Sequence, residues 1–193
     1  IHCGPRWSIT RTFPFERENT SMNAFGLCPS CQQEYSSPDN RRFHSQTNSC
    51  EHCGISYHLL DNKGNSIRYG REGLFGTMAE LLQAGAIIAL KNTSGYLLGC
   101  DAANRDSIVK LRIRKRRPSK PFALLYPSIR SVQEDTDICP EESRALTDPE
   151  RPIVLLGRPR GVFYDTFDEI APGLGQVGIM LPYSGVLQML MNE

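Results

Sequence analysis

The sequence predicts a mixed α/β (α+β) protein in which a small cysteine-rich module, residues 1–66, precedes a larger domain, residues 71–193. Two observations support this division. Residues 1–66 contain two closely spaced cysteine pairs but only eleven Val, Ile, Leu, Met or Phe residues, and no valine. In residues 71–193, helical and strand-like patterns alternate irregularly, which is typical of a domain with both helices and sheets.

Four of the seven cysteines form two C-x-x-C pairs, Cys28 with Cys31 and Cys50 with Cys53, and eighteen residues separate the pairs. A C-x-x-C turn places two thiolates on one ion, and zinc takes four ligands in tetrahedral geometry. The spacing therefore predicts a structural zinc site, because four thiolates leave no open coordination position for catalysis. Zinc binding would also stabilise a module that has little apolar material for a core.

Disulfides and redox chemistry are the alternative roles for these cysteines. Disulfides fit poorly with an odd cysteine count and with the lack of a secretory signal at the N-terminus. A redox C-x-x-C opens a helix, whereas here Pro29 follows Cys28 and Gly54 follows Cys53, so that both pairs are expected among turns.

Five other side chains near the cysteines have two interpretations each. His44, His52 and His58 are alternative zinc ligands, but four cysteines already complete the site, which favours outer or surface positions for the histidines. Arg41 and Arg42 either offset the negative charge of a four-thiolate site or lie in a solvated turn.

The larger domain is expected to contain five strands and at least five helices. Helices are predicted from Leu74 to Leu82 with Gly85 as the C-cap, from Asn104 to Arg114, after Pro127, from Glu141 to Leu146 and from Gly185 to Met191. In the second of these, the predicted apolar positions are Ile108, Val109, Leu111 and Ile113. The predicted strands are Ala86–Leu90, Gly95–Cys100, Phe122–Tyr126, Pro152–Leu156 and Val177–Leu181.

The main chemical signal of this domain is the basic run Arg112–Pro121, which reads RIRKRRPSKP. Residues 71–125 carry ten Lys and Arg against four Asp and Glu, and residues 126–193 carry five against eleven. Three interpretations are open: a flexible RNA-contact or nuclear-localisation run, a solvated helix end, and an ordered anion pocket. Strand-like sequences on both sides favour the pocket, where Arg and Lys would bind a carboxylate or phosphate.

Several segments resemble the HypF family of hydrogenase-maturation carbamoyltransferases. They are Cys3–Arg6, Pro14–Thr20, Pro38–His44, Cys100–Ala102, Arg117–Leu124, Pro152–Leu156, Ala171–Leu174 and Met180–Pro182. In that family, two C-x2-C-x18-C-x2-C units are separated by twenty-four residues. Twenty-four residues also separate Cys3 from Cys28, so Cys3 matches the last ligand of a first unit, and we expect it to bind the zinc of that unit.

The resemblance implies a zinc module followed by the front of a YrdC-like twisted α/β domain. HypF enzymes take carbamoyl phosphate and ATP, form carbamoyl-adenylate in the YrdC-like domain, and pass the carbamoyl group to a HypE-type acceptor protein. That group becomes the cyanide ligand of nickel–iron hydrogenase. Acylphosphatase and carbamoyl-transfer domains lie outside the chain, so we expect the fragment alone to bind zinc but not to catalyse the reaction.

The resemblance also implies roles for three cations. In YrdC relatives, a Lys-x-Arg pair binds the small carboxylate-like substrate beside the nucleotide phosphate, and Lys115 and Arg117 occupy that pattern. Lys91 matches a lysine in a pocket-forming turn. Where the family reads K-G-x-G-G-F-H, this chain reads KNTSGYL, so Leu97 replaces the family histidine.

The alternative function is a zinc-containing nucleic-acid module that binds RNA through the basic run. A related tRNA threonylcarbamoyl-adenylate synthase ranks lower, since those proteins lack the zinc module. No apolar run approaches the ~20 residues that span a bilayer. With no secretory signal either, we expect a cytoplasmic protein that does not bind membranes.

Overall fold

The computed structural model describes residues 9–70, 73–92, 95–161 and 163–193. The chain divides into two compact units, Ile1–His58 and Leu59–Glu193. The boundaries 1–66 and 71–193 expected from the sequence stay predictions. Among the described residues, no helix is both long enough and apolar enough to cross a membrane.

The first unit has short elements and little apolar core. Residues 10–58 of this unit contain two 3-10 helices, Arg17–Asn19 and Ser21–Ala24, and helix α1, Pro29–Ser36. In residues 9–58, the buried side chains are Cys31 and three polar ones, Thr20, Gln46 and Asn48. The expectation that this stretch lacks apolar material for a core is therefore confirmed for the part that is described.

Arg17 holds the first unit together by hydrogen bonds rather than by apolar packing. Its Nη1 donates to the carbonyl oxygens of Gln46 at 2.6 Å and Asn48 at 3.0 Å, and its Nη2 donates to that of Phe25 at 2.8 Å. The first two contacts connect segments about thirty residues apart, next to the second cysteine pair.

The second unit alternates helices and strands. Its helices are α2, Gly73–Gln83; α3, Arg105–Lys115; α4, Ile129–Asp135; α5, Pro140–Thr147; α6, Phe167–Ile170; and α7, Gly185–Met191. Its strands are β1, Ile88–Asn92; β2, Gly95–Gly99; β3, Ala123–Leu125; β4, Val154–Gly157; and β5, Gln176–Met180. The mixed fold class expected from the sequence is confirmed.

The strands form two sheets. Strands β1 and β2 make an antiparallel hairpin, with Lys91 opposite Tyr96 and Leu90 opposite Leu97. The second sheet has the order β3-β5-β4, in which β3 is parallel and β4 antiparallel to β5. One hydrophobic cluster packs on this sheet; it consists of Ile108, Leu124, Tyr126, Val132, Leu146, Leu156, Phe167, Ile170, Ala171, Val177, Ile179 and Leu181.

Capping residues explain where two of the helices end or begin. Gly85, with φ of +86°, follows α2 and donates its N–H to Leu82, while Ala86 donates to Leu81. This Schellman pattern confirms Gly85 as the predicted C-cap. The Asn104 side chain accepts from the N–H of Ser107 at 3.0 Å, so the predicted start of α3 is its N-cap.

The predicted apolar face of α3 is wrong in part. Ile108 and Leu111 are buried, but Val109 is 39% exposed and Ile113 is 71% exposed. Arg112 takes the buried position instead and is only 9% exposed. Four residues of α3 are buried on one face, and one of them is a cation; they are Ser107, Ile108, Leu111 and Arg112.

Candidate metal centre and basic loop

The four predicted zinc ligands converge in the structure. The Sγ atoms of Cys28, Cys31, Cys50 and Cys53 all lie within 4.8 Å of one another. The Cys28–Cys50 and Cys50–Cys53 pairs are 3.6 Å and 3.9 Å apart. A tetrahedron of sulfurs about 2.3 Å from zinc has edges of about 3.8 Å, so the spacing fits a metal and is far beyond the ~2.05 Å of a disulfide.

Local backbone structure sets this geometry. Cys28 is the N-cap of α1, Pro29 is its first residue, and Cys31 lies buried in its first turn. The first pair therefore opens a helix, and the sequence-based expectation of a turn at this pair is wrong. At the second pair, the Gly54 N–H donates to the carbonyl oxygen of Cys50 at 2.7 Å. A Cβ at position 54 would lie only 2.6 Å from the same oxygen, so this turn requires glycine.

The electrostatics of the cluster also suit a cation. Backbone N–H donors, led by that of His52, lower the pKa of Cys50, and similar donors lower the pKa of Cys53 to about 6. Burial, followed by the neighbouring thiols, raises the pKa of Cys31. A bound cation would offset the cost of four thiolates in one place, since it deprotonates the thiols that ligate it.

Arg42 lies beside the cluster in an ion pair. Its Nη1 donates to both carboxylate oxygens of Glu34, at 2.7 and 2.8 Å, and this pair raises the pKa of Arg42 and lowers that of Glu34. The side chain of Asn48 donates to Glu34 at 3.4 Å and to the carbonyl of Cys31 at 3.1 Å. Arg42 therefore fits the charge-offsetting role, while Arg41 is exposed.

The three histidines lie outside the sulfur cluster. His44 is paired with Glu16 at 3.1 Å, His52 is largely exposed beside Glu51, and His58 is within 3.4 Å of the Ser56 hydroxyl. Among the described residues, the metal-ligand cluster contains cysteines alone. The expectation for Cys3 lies outside the described residues.

The basic run folds into the end of α3 and an ordered loop, residues 116–121, which we call the basic loop. Arg116, with φ of +48°, ends the helix, and its N–H donates to the carbonyls of Arg112 and Ile113. The side chain of Arg117 donates from Nε to the carbonyl oxygen of Lys120 at 3.1 Å and from Nη2 to that of Pro121 at 2.5 Å. The run is therefore hydrogen-bonded rather than extended.

Arg112 binds the inner side of this loop. Its guanidinium donates to the carbonyl oxygens of Arg117, Lys120, Glu169 and Ile170, at distances of 2.5 to 3.1 Å. Burial, more than any nearby charge, lowers the pKa of Arg112.

Phe122 follows the basic loop and lies against both arginines. The guanidinium carbon of Arg112 is 4.5 Å from the centroid of the Phe122 ring, and that of Arg117 is 5.0 Å away. Such contacts are favourable cation–π geometry.

The three predicted binding cations occupy separate elements. Lys115 is the exposed last residue of α3, Arg117 is half-buried in the basic loop, and Lys91 is exposed on β1 with its Nζ 5.3 Å from the Tyr96 ring centroid. Their convergence on one ligand stays a prediction. Because Leu97 is paired with Leu90, it lies on the face of the hairpin opposite Lys91.

Comparisons with known proteins agree with both parts of the chain. The family model described as telomere recombination, covering Sua5, YciO and YrdC proteins, matches residues 80–193. The chain belongs to this Sua5/YciO/YrdC family. The HypF finger model matches residues 27–60, which include all four clustered cysteines.

Several HypF proteins match the YrdC-like domain together with the finger. Carbamoyltransferase HypF of Rhodobacter capsulatus is 40% identical over 99% of this chain, which covers 25% of that protein. The crystal structure of T. kodakarensis HypF matches with a TM-score of 0.81 at 40% identity, over 99% of this chain and 25% of that one.

A full-length HypF structure in the phosphate- and nucleotide-bound form matches with a TM-score of 0.78 at 34% identity, over 98% of this chain and 24% of that one. The resemblance to HypF is confirmed, and the chain spans about a quarter of the relatives it matches.

The sequence did not predict the contacts that attach α6 to the residues at and before the start of α3. Arg105 is paired with Glu169 at 3.4 Å, and the Thr166 hydroxyl donates to Ala102 at 2.7 Å. It also missed that Asn92, at the end of β1, donates to the hydroxyl of Ser184 at 3.1 Å. For Arg112 a signal existed, since it follows the buried Ile108 by four residues on the same helix face.

Proposed function

We propose that this chain is part of an ATP-dependent carbamoyltransferase of the HypF type, which forms carbamoyl-adenylate from carbamoyl phosphate for the maturation of nickel–iron hydrogenase. The observation that carries the proposal is the match of nearly the whole chain, finger and YrdC-like domain together, to HypF carbamoyltransferases. One such relative has been solved in a phosphate- and nucleotide-bound form, which supports a nucleotide as a substrate; that this nucleotide is ATP is part of the proposal.

The chemistry of the proposed step is an attack on phosphorus. Carbamate, released from carbamoyl phosphate elsewhere in the parent protein, attacks the α-phosphorus of ATP through a carboxylate oxygen. The bond from that phosphorus to the bridging oxygen breaks, and pyrophosphate leaves with the electron pair. Negative charge is concentrated on both reactants, so cations that hold the carbamate and the phosphate lower the barrier.

Lys115 and Arg117 are the cations that we assign to this clamp, with Lys91 as a third contact. Lys115 is exposed and presents a mobile point charge. Arg117 donates from Nε and Nη2 to carbonyl oxygens of the basic loop, and its Nη1 is the group that we assign to the anion. The clamp thus combines a fixed guanidinium with a flexible ammonium group.

The zinc module has a structural role in this proposal. Four thiolates complete the coordination of the ion, so it takes no part in the carbamoyl chemistry. We further propose that the parent protein works in the cytoplasm and delivers the carbamoyl group to a HypE-type acceptor. The RNA-binding alternative has no specific observation in its favour, and the whole-chain match to HypF proteins counts against it.

ATP–pyrophosphate exchange with the full-length parent tests the proposal. Exchange should require carbamoyl phosphate and fall about 100-fold in Lys115→Ala and Arg117→Ala, the usual cost of removing a charged contact to the transition state. Lys110→Ala is the matched control, because Lys110 is exposed on the same helix. Unchanged exchange in both variants would remove the clamp, and RNA binding with a steep salt dependence would favour the alternative.

A further inference from the structure

Arg112 is the one charged side chain that is buried among the described residues. It is 9% exposed, yet all four of its described hydrogen-bond acceptors are neutral backbone carbonyls. A buried cation is costly unless its donors are satisfied, so a guanidinium at this position needs a specific set of acceptors. The five N–H groups of arginine point outward in a planar fork and can bind four carbonyls at once, whereas the ammonium group of lysine has only three donors.

The four acceptors come from two separate parts of the fold. Two of them, the carbonyls of Arg117 and Lys120, belong to the two arms of the basic loop. The other two, the carbonyls of Glu169 and Ile170, belong to α6. One side chain therefore fixes the width of the loop and its distance from α6.

The backbone of Arg112 acts on the same loop. Its carbonyl oxygen accepts from the N–H of Arg116 and from that of Arg117, at 3.0 Å for the latter. The last turn of α3 thus determines where the chain leaves the helix, between Lys115 and Arg117. These are the two residues that carry the proposed clamp.

We propose that Arg112 is the positioning residue of the anion site: it holds the basic loop in the one arrangement that presents Lys115 and Arg117 together. This inference rests on the proposed function. Arg112 itself does not contact the ligand, since its donors bind the protein backbone. Without the Arg112 side chain, Lys115 and Arg117 are still present but are no longer held at a fixed separation. The affinity of the site for the anion should therefore fall.

Limited trypsin cleavage tests the positioning directly. Trypsin cleaves after Arg114, Lys115 and Arg116, but not after Arg117 or Lys120, because Pro118 and Pro121 follow them. Cleavage at these sites reports local opening of the last turn of α3 and the start of the basic loop.

In the full-length parent, Arg112→Gln should raise the rate of cleavage after Arg114, Lys115 and Arg116 about tenfold, because the loop loses the side chain that binds it. Mass spectrometry identifies the cleaved bonds. Lys110→Gln is the matched control, because it also removes one cation from α3, its side chain is exposed, and all three cleavage sites remain.

Exchange kinetics test the consequence. Arg112→Lys keeps the charge and is the variant for kinetics if Arg112→Gln fails to fold. At a temperature where circular dichroism shows a folded protein, its KM for ATP in the exchange reaction should rise about 10- to 100-fold, with a smaller change in kcat. A merely structural residue would lower the active fraction, and so kcat, while KM stayed constant.

Three results would overturn the inference, and they separate it from the proposed function. Unchanged loop cleavage in Arg112→Gln would show that the loop does not depend on Arg112. Faster cleavage with an unchanged KM, while Lys115→Ala raises KM, would show that Arg112 supports only the fold. If Lys115→Ala and Arg117→Ala leave exchange unchanged, the proposed clamp itself fails, and the positioning role falls with it.

Discussion

The Nη2 atom of Arg112 donates a hydrogen bond to the carbonyl oxygen of Ile170 at 2.8 Å, and the same oxygen accepts the N–H of Phe122 at 2.9 Å. Helix α3, the start of β3 and the end of α6 therefore meet at one acceptor. The basic loop lies between the first two of these elements. Its conformation follows from the tertiary structure, and this is why a run of six cations and two prolines is ordered here.

Removal of one zinc ligand should unfold the finger unit. Cys31 is the one apolar side chain buried in residues 9–58, so the described part of this unit has no core to replace the metal. In the full-length parent, Cys31→Ser should lower the zinc content by about one ion and expose these residues to proteases. Zinc content by mass spectrometry and tryptic mapping check this. Full zinc content in the variant would contradict the assignment.

The Glu34–Arg42 pair should tune zinc affinity. Arg42 carries positive charge beside the thiolates, and Glu34 orients it, so Arg42→Gln should weaken zinc binding about 10- to 100-fold, the range typical of outer-shell partners. Competition with a chromophoric chelator measures the change. Arg41→Gln is the control, since Arg41 is exposed. Equal affinities for the two variants would show that Arg42 acts only as a surface charge.

Loss of Arg17 should loosen the first unit without removing a ligand. Its three hydrogen bonds to carbonyls of Gln46, Asn48 and Phe25 should contribute about 2 kcal/mol to local stability, typical of donors that carry charge. Arg17→Ala should therefore speed hydrogen exchange in residues 9–25 and 44–50 by about 30-fold, with zinc content retained. Arg11→Ala, at an exposed position, should have little effect. Identical exchange in the two variants would be inconsistent with this role.

Stability of the YrdC-like domain should fall in alkaline solution because of Tyr126. Burial, and then the hydrogen bond that its hydroxyl donates to Asp135, raises the pKa of this phenol. The folded state therefore binds the proton more tightly than the unfolded one. The resulting stability is fully present below the unfolded pKa of about 10 and is lost as pH rises through the folded pKa.

Urea titrations followed by circular dichroism, between about pH 8 and about pH 11, test this dependence. Tyr126→Phe should cost about 1 kcal/mol near neutral pH and should lose less stability than the wild type above about pH 10. Tyr96→Phe is the control, because Tyr96 is 73% exposed. Parallel pH profiles for wild type and Tyr126→Phe would refute the assignment.

The metal centre was predictable because its signal is local. Two C-x-x-C pairs with eighteen residues between them leave few arrangements other than one tetrahedral site, and the four sulfurs do converge. The helical start at Cys28 was not predicted, since Pro29 indicates both a turn and the first residue of a helix.

The strands and longer helices were also predictable, with ends shifted by one or two residues. Two features were not. Helix α6 has four residues and is stabilised by contacts with Ala102, Arg105 and Arg112, which are distant in sequence. The apolar pattern places Ile113 on the buried side of α3, but Ile113 is 71% exposed and Arg112 is buried instead. The helical phase places position 112 on the buried face, but a search for apolar residues alone passes over a cation that is buried to bind carbonyls.

A crystal structure of the full-length parent with a non-hydrolysable analogue of carbamoyl-adenylate would test the anion clamp most directly. We predict that Lys115 Nζ and an Nη atom of Arg117 lie about 3 Å from oxygens of the analogue, with Arg112 still bound to its four carbonyls. An analogue bound with both side chains more than about 6 Å away would contradict the account.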